Sequence, residues 1–209
     1  MTGAMHPLDP RRALESAWVY RTAQSLIRGA ASYRRLAEEH LRVVPGDRVL
    51  DIGCGPAEIL SHLPDIDYLG FDASSRYIEW ARNRYGGRGR FLCQTLDQAE
   101  LEDLGAGSFD LVVAYGLVHH LDDQEARAFF ALARSALRPA GRLVTIDGCF
   151  VPEQSKFVRW LLERDRGRHV RTPDAYRKLA GSSFGVVEDQ LHHDLFRLPY
   201  TLIVLECGA

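Results

Sequence analysis

The stretch VLDIGCGPAEIL, residues 49–60, decides how this chain is read. Val49, Leu50 and Ile52 form a short apolar run, interrupted by Asp51 and closed by two glycines. Such a run reads as a buried parallel strand that ends in a tight turn. Gly53 and Gly55 open backbone conformations closed to other residues and let a ligand come close. Pro56 suits the first turn of a helix, where no N–H is needed, so a helix is expected over about 56–63. Strand, glycine turn and helix start together make a nucleotide-shaped site: N–H groups and the positive end of the helix dipole face the ligand.

Outward from this turn the chain alternates. A second carboxylate, Asp72 in YLGFDAS, ends the next expected strand at Tyr68 to Phe71. An acid about 20 residues past the glycines, at a strand end, is placed to accept hydrogen bonds from ribose hydroxyls. Ser74 can cap a helix carrying Ile78, Ala81 and Tyr85, and Gly89 to Cys93 reads as a short third strand. FDLVVAY, from Phe109 to Tyr115, is apolar without alternation and is expected among the most buried strands. Asp122 and Glu125 form a capping-box pair before a helix bearing Ala126, Phe129, Phe130, Ala133 and Leu137. Pro139 to Gly141 closes that helix, and Leu143 to Ile146 is the fifth strand. Strand and helix in turn imply a parallel sheet with helices on both faces.

Before the turn, Leu14, Trp18, Val19, Ala23, Leu26 and Ile27 recur at helical spacing, and Tyr33, Leu36, Ala37, His40 and Leu41 form a second stripe. After the fifth strand, residues 153–180 read as two helices joined by the charged link RDRGRHVRT, with Thr172-Pro173 as a helix start. Phe184 to Asp189 and Thr201 to Leu205 read as closing strands. The chain therefore divides into N-terminal helices (1–44), an α/β core (45–150), a helical insertion (151–182) and a C-terminal strand pair (183–209), all in one domain.

An apolar run, an acid and G-x-G, followed by an acid one strand later, resembles the class I methyltransferases that use S-adenosylmethionine. The motifs span about residues 45–150, and the tail is similar by pattern. The resemblance implies a Rossmann-like doubly wound, seven-stranded sheet, mostly parallel with an antiparallel C-terminal strand and helices on both faces. It implies that Asp51, Gly53, Cys54 and Gly55 face the methionine part and ribose of S-adenosylmethionine, with S-adenosylhomocysteine as product. Asp72 would hold the ribose hydroxyls, with Ala73 near the adenine edge. An acid after strand three contacts the adenine amino group in that family; here the stretch is Cys93 to Asp97, so Thr95 or Asp97 would take that role, with Leu96 between them also at the cofactor. Tyr115 and Gly116 would meet the cofactor through the loop after strand four. Its paired histidines, His119 and His120, are candidate general bases, which need hydrogen-bond reach to a substrate proton; in similar enzymes at least one such imidazole packs beneath the loop. Helices before strand one often cover the site in this family, which makes Trp18 and Tyr20 candidate lid residues; ordinary packing is the competing reading.

Composition narrows the function. The chain has 209 residues, 46% of them hydrophobic, and a net charge of −2. No global field favours nucleic acid, and AYGLVHH lacks the Asn/Asp-Pro-Pro-aromatic tetrapeptide of the resembled enzymes that methylate bases. DNA is not expected as substrate and RNA is disfavoured. Cys54, Cys93, Cys149 and Cys207 are scattered, without metal or redox spacing, as suits reduced thiols in a cytoplasmic protein. No metal site is expected, and no run of about 18 apolar residues could span a membrane. A small-molecule acceptor is the expected partner. Residues 153–178 hold eight Lys or Arg against four acids. Arg166, Arg168, His169 and Arg171 could converge there on a phosphate or carboxylate, with Asp147 and His169 beside the transferable methyl; a solvated link is the competing reading. Two other functions compete: a SAM-binding regulatory protein without catalysis, and an NAD-dependent oxidoreductase, which Glu58 disfavours by standing where a third glycine belongs.

Overall fold

The structure is a computed structural model and describes residues 30–164, 168–196 and 200–208. Strands β1 (Arg48–Ile52), β2 (Asp67–Phe71), β3 (Arg90–Leu92), β4 (Phe109–Tyr115), β5 (Leu137–Gly148), β6 (Val186–His192) and β7 (Leu202–Gly208) form one seven-stranded sheet, ordered β3-β2-β1-β4-β5-β7-β6. β1 to β5 pair in parallel. β7 runs antiparallel to both neighbours, β5 and β6. The strand order reverses between β1 and β4, so a crevice opens at the carboxyl ends of those two strands.

The apolar pattern accounts for both faces. Leu50, Ile52, Val112 and Ala114 point into one core layer, and Val49, Leu111 and Val113 into the other. Every residue of β4 from Leu111 to Ala114 is buried, as its unbroken apolar run requires. The first layer is closed by α4 (Asp123–Ala136) through Ala126, Phe129, Phe130 and Ala133, and by α6 (Pro173–Ala180) through Tyr176 and Leu179. The second is closed by α1 (Ala30–Leu36), which widens into a π turn over Ala37–Leu41, and by α2 (Ser75–Tyr85). α3 (Gln98–Leu104) adds Leu101 to the first layer, and α5 (Lys156–Glu163) follows β5 in the chain.

Several helix ends follow the sequence signals. The Asp122 carboxylate accepts the Gln124 and Glu125 N–H groups while Glu125 accepts the Asp122 N–H, a complete capping box. Ser74, Ser155 and Thr172 cap α2, α5 and α6. One expected element is different. The helix predicted from Pro56 is a five-residue 3₁₀ stretch, Glu58–His62. Pro56 lies between Gly55 and Ala57, both left-handed at φ +54°, and a right-handed helix cannot begin across that pair. The last strands also lie later than expected, and β5 begins at Leu137, so the helix before it stops at Ala136.

α1 is tied to the C-terminal strands by a buried polar chain. His40 Nδ1 lies 2.9 Å from Glu206 Oε1, and its Nε2 lies 3.0 Å from His192 Nε2. Arg42 pairs with the same glutamate, and the Arg142 guanidinium donates to the His40 and Leu41 carbonyls. Burial and the neighbouring His40 push the His192 pKa down.

Candidate active site

The carboxyl ends of β1 and β2 carry the first half of the site. Gly53 and Gly55 both have positive φ, +78° and +54°, as expected of this turn. The Gly53 and Cys54 N–H groups donate to the Phe71 carbonyl at 2.8 and 2.9 Å, which ties the turn to the end of β2. Asp72 completes the tie: its carboxylate accepts the Gly55 N–H at 2.9 Å and the Ser74 N–H at 2.8 Å. A Cβ on Gly53 would stand 3.3 Å from Leu117 of the β4 loop, so the loops after β1 and β4 nearly touch. A Cβ on Gly55 would meet nothing within 4 Å, so this glycine faces open space.

Asp51 is the unusual member. Its carboxyl is buried, and Oδ2 accepts the Tyr68 hydroxyl proton at 2.6 Å. Oδ1 has no hydrogen-bond partner among the described residues. Burial, opposed by the Tyr68 hydrogen bond and reinforced by the Asp72 charge, pushes the Asp51 pKa up to about 7. Two carboxylates with one open acceptor suit a ligand that brings positive charge and hydrogen-bond donors. The short 3₁₀ stretch in place of a helix leaves little dipole for a pyrophosphate. The cradle therefore fits a sulfonium and ammonium ligand such as S-adenosylmethionine better than a dinucleotide.

Cys54 is buried against β2, where a Cβ on Gly70 would fall 2.8 Å from its sulfur. Burial raises its pKa far above the ordinary thiol range, so it is an inert packing group. Ala73 is exposed beside Asp72. After β3, Asp97 caps α3 by accepting the Glu100 N–H at 2.9 Å, Thr95 is exposed, and Leu96 packs against the core.

The second half follows β4 and β5. Tyr115 ends β4, Gly116 turns at φ +70°, and a single 3₁₀ turn, Val118–His120, carries both histidines. His119 is buried beneath the loop: its backbone N–H and ring Nδ1 meet Asp147 Oδ1 at 3.1 and 2.7 Å. Asp147 is itself buried, and its Oδ2 has no partner among the described residues. The His120 ring lies tilted against His119, at 4.3 Å between centroids and 35° between planes.

The charged link folds back onto this loop. The His169 N–H donates to the His119 carbonyl at 3.0 Å, which brings the two sequence candidates together. Arg171 has a different place from the one expected. It is buried and holds the loop from beneath, with its guanidinium donating to the Val118, Leu121 and His169 carbonyls and to Asp123 at 2.7–3.1 Å. It is not a free anion ligand. Arg168 is exposed, and Arg164 lies over the Trp160 ring. Trp18, Tyr20 and Arg166 lie outside the described residues.

Sequence reasoning missed three parts of the site. Tyr68 reaches Asp51 because Val49 pairs with Tyr68 and Asp51 with Gly70; a phenol inside an apolar strand was the available signal. The Leu117 contact and the clamp role of Arg171 left no signal, because Leu117 meets the distant Gly53 and Arg171 reaches back 48–53 residues to Asp123, Leu121 and Val118. Beyond the β5, β6 and β7 ends there is also a cleft of about 510 Å³. Its apolar side includes Val151, Val158 and Leu191, and its polar side Glu153, His193 and Thr201.

Comparison with known proteins matches residues 49–141 to a methyltransferase-domain family model. A probable fatty acid methyltransferase of Mycobacterium tuberculosis is 26% identical over 183 residues, covering 83% of this chain and 42% of that protein. An O-methyltransferase of Pyrenophora dematioidea is 30% identical over 158 residues, covering 66% of this chain and 57% of that protein. The chain thus spans about half the length of these relatives. Among solved structures, a TehB-like SAM-dependent methyltransferase from Corynebacterium glutamicum superposes with a TM-score of 0.65 at 18% identity, over 96% of this chain and all of its own.

Proposed function

Residues 49–141 of this chain are a methyltransferase domain of the class I, S-adenosylmethionine-dependent family, and from that premise we propose that the protein methylates a small-molecule acceptor. The observation that carries this reading is the pair of carboxylates, Asp51 and Asp72, set around a positive-φ glycine turn at the reversal of strand order. S-adenosylmethionine brings its own activation, since its sulfonium makes the methyl group electrophilic. The protein's share is then positioning and the exclusion of water.

In this reading Asp72 holds ribose hydroxyls with the lone pairs its two backbone donors leave open, and Asp51 faces the cationic end of the cofactor. Asp147 and His119 are positioning residues that fix the β4 loop between cofactor and acceptor. The acceptor lies beyond β4 and β5, walled by the insertion 151–182. A phosphate or carboxylate on it would be met by Arg168 and His169, since Arg171 is committed beneath the loop.

Calorimetry with S-adenosylmethionine tests the cofactor half. Asp72→Ala, checked for folding, should bind more weakly by about 1–3 kcal/mol, the usual effect of removing hydrogen bonds to a charged group; unchanged affinity would reject the assignment. For the acceptor half, Arg168→Ala and His169→Ala should each raise KM for an anionic acceptor; normal turnover in both would remove the anionic requirement and leave methyl transfer standing.

A further inference from the structure

We propose that the outer flank of α5 docks the protein on an anionic lipid surface. This goes beyond methyl transfer and does not depend on it. α5 is seated by Val158 and Leu162, which are buried; a Cβ on Gly148 at the end of β5 would stand 2.8 Å from Leu162. Its other flank is left open. Phe157 and Trp160 are 53% and 45% exposed, with rings stacked 6.1 Å apart at 18°. The other large hydrophobic residues so exposed among the described residues are Val44, Val186 and Leu191, and Leu191 lines the cleft beside Val158 of this helix. A paired aromatic patch on one short amphipathic helix is unusual enough to need an occupant.

The charge around it names that occupant. Among the described residues of 156–168 stand four basic residues against one acid, in a chain whose net charge is −2. Lys156, Arg159, Arg164 and Arg168 are all exposed. Arg164 lies 4.4 Å from the Trp160 ring centroid, and Arg159 lies 5.0 Å from that of Phe150 while also pairing with Glu163 at 3.3 Å. Lys156, Arg159 and Arg164 thus stand on or directly after the helix that carries the aromatics, with Arg164 against Trp160 itself. Indole and phenyl rings settle at the headgroup level of a bilayer, and Lys or Arg stems lie along apolar surface while their charges reach phosphates. Each basic group near an anionic leaflet strengthens binding on the order of fivefold. Val158 of the same helix also lines the cleft beyond β5, so a lipid-embedded molecule would meet that cleft close to the docked face.

The test is co-sedimentation of the full chain with vesicles of mixed phosphatidylglycerol and phosphatidylcholine, against phosphatidylcholine alone, at low and high salt. Binding should require the anionic lipid and fall with salt. Phe157→Ser with Trp160→Ser should abolish it, and Lys156→Gln with Arg164→Gln should weaken it at least tenfold, while S-adenosylmethionine affinity stays unchanged in both. Equal partition to the two vesicle types, no partition at all, or wild-type binding by the aromatic double variant would overturn the proposal. So would self-association in solution that the aromatic double variant removes, which would assign the patch to a second copy of the chain. Vesicle binding without S-adenosylmethionine binding would instead overturn the methyl-transfer reading alone.

Discussion

Burial takes water away from the Asp51 carboxylate, and Tyr68 returns a single hydrogen bond. The folded protein therefore holds the proton more tightly than the unfolded chain, with a pKa near 7 against an ordinary value of 3.8. The sign follows from linkage: protonated Asp51 is compatible with the fold, so stability is lost as pH rises from about 4 towards 7 and is not regained above it. Asp51→Asn keeps an acceptor for Tyr68 and cannot ionise. It should raise the melting temperature, by little at pH 3.5, by more at pH 5, and by the equivalent of on the order of 2–4 kcal/mol at pH 8. Thermal unfolding of both proteins across that range checks this. The same substitution should weaken S-adenosylmethionine binding. In the wild type, binding at pH 7 should release a fraction of a proton, measurable as a dependence of calorimetric heat on buffer ionisation enthalpy. A carboxylate that destabilises the fold is retained where it meets a ligand.

Among the elements, the loop after β4 depends on a side chain that arrives 50 residues later. Arg171 donates to two carbonyls and one carboxylate within Val118–Asp123, and to the His169 carbonyl beside it. Arg171→Ala should destabilise the protein by about 2–4 kcal/mol and speed hydrogen exchange of the 118–121 amides, and Arg171→Lys should recover little, because an ammonium cannot reproduce the fork. If the loop amides exchange as in the wild type, the clamp is not what holds them. The sequence signs of this region were uneven for a physical reason. β4 and the capping box of α4 are written in local patterns, an unbroken apolar run and an Asp-x-x-Glu, and both were read to their limits. Gly53 and Gly55 were legible because only glycine accommodates the turn, whereas the left-handed Ala57 that stops a helix at Pro56 carries no such mark. The role of Arg171 depends on tertiary approach, and a charged link shows no sign of which of its arginines will be buried.

For the whole molecule, the order of strands has a consequence of its own. β7 lies between β5 and β6, so seven residues hold two strands in place. Without Leu202–Gly208 the sheet would lose β6 as well, and β5, largely buried in the fold, would become an open edge able to recruit strands from other chains. The same geometry makes this slot selective. A separate peptide of that sequence would find antiparallel partners on both sides and two core layers awaiting Ile203, Val204 and Leu205. The chain is thus divisible between β6 and β7 into a large body and a small complementing strand, the arrangement a split reporter needs, with restoration of the cofactor crevice as its signal.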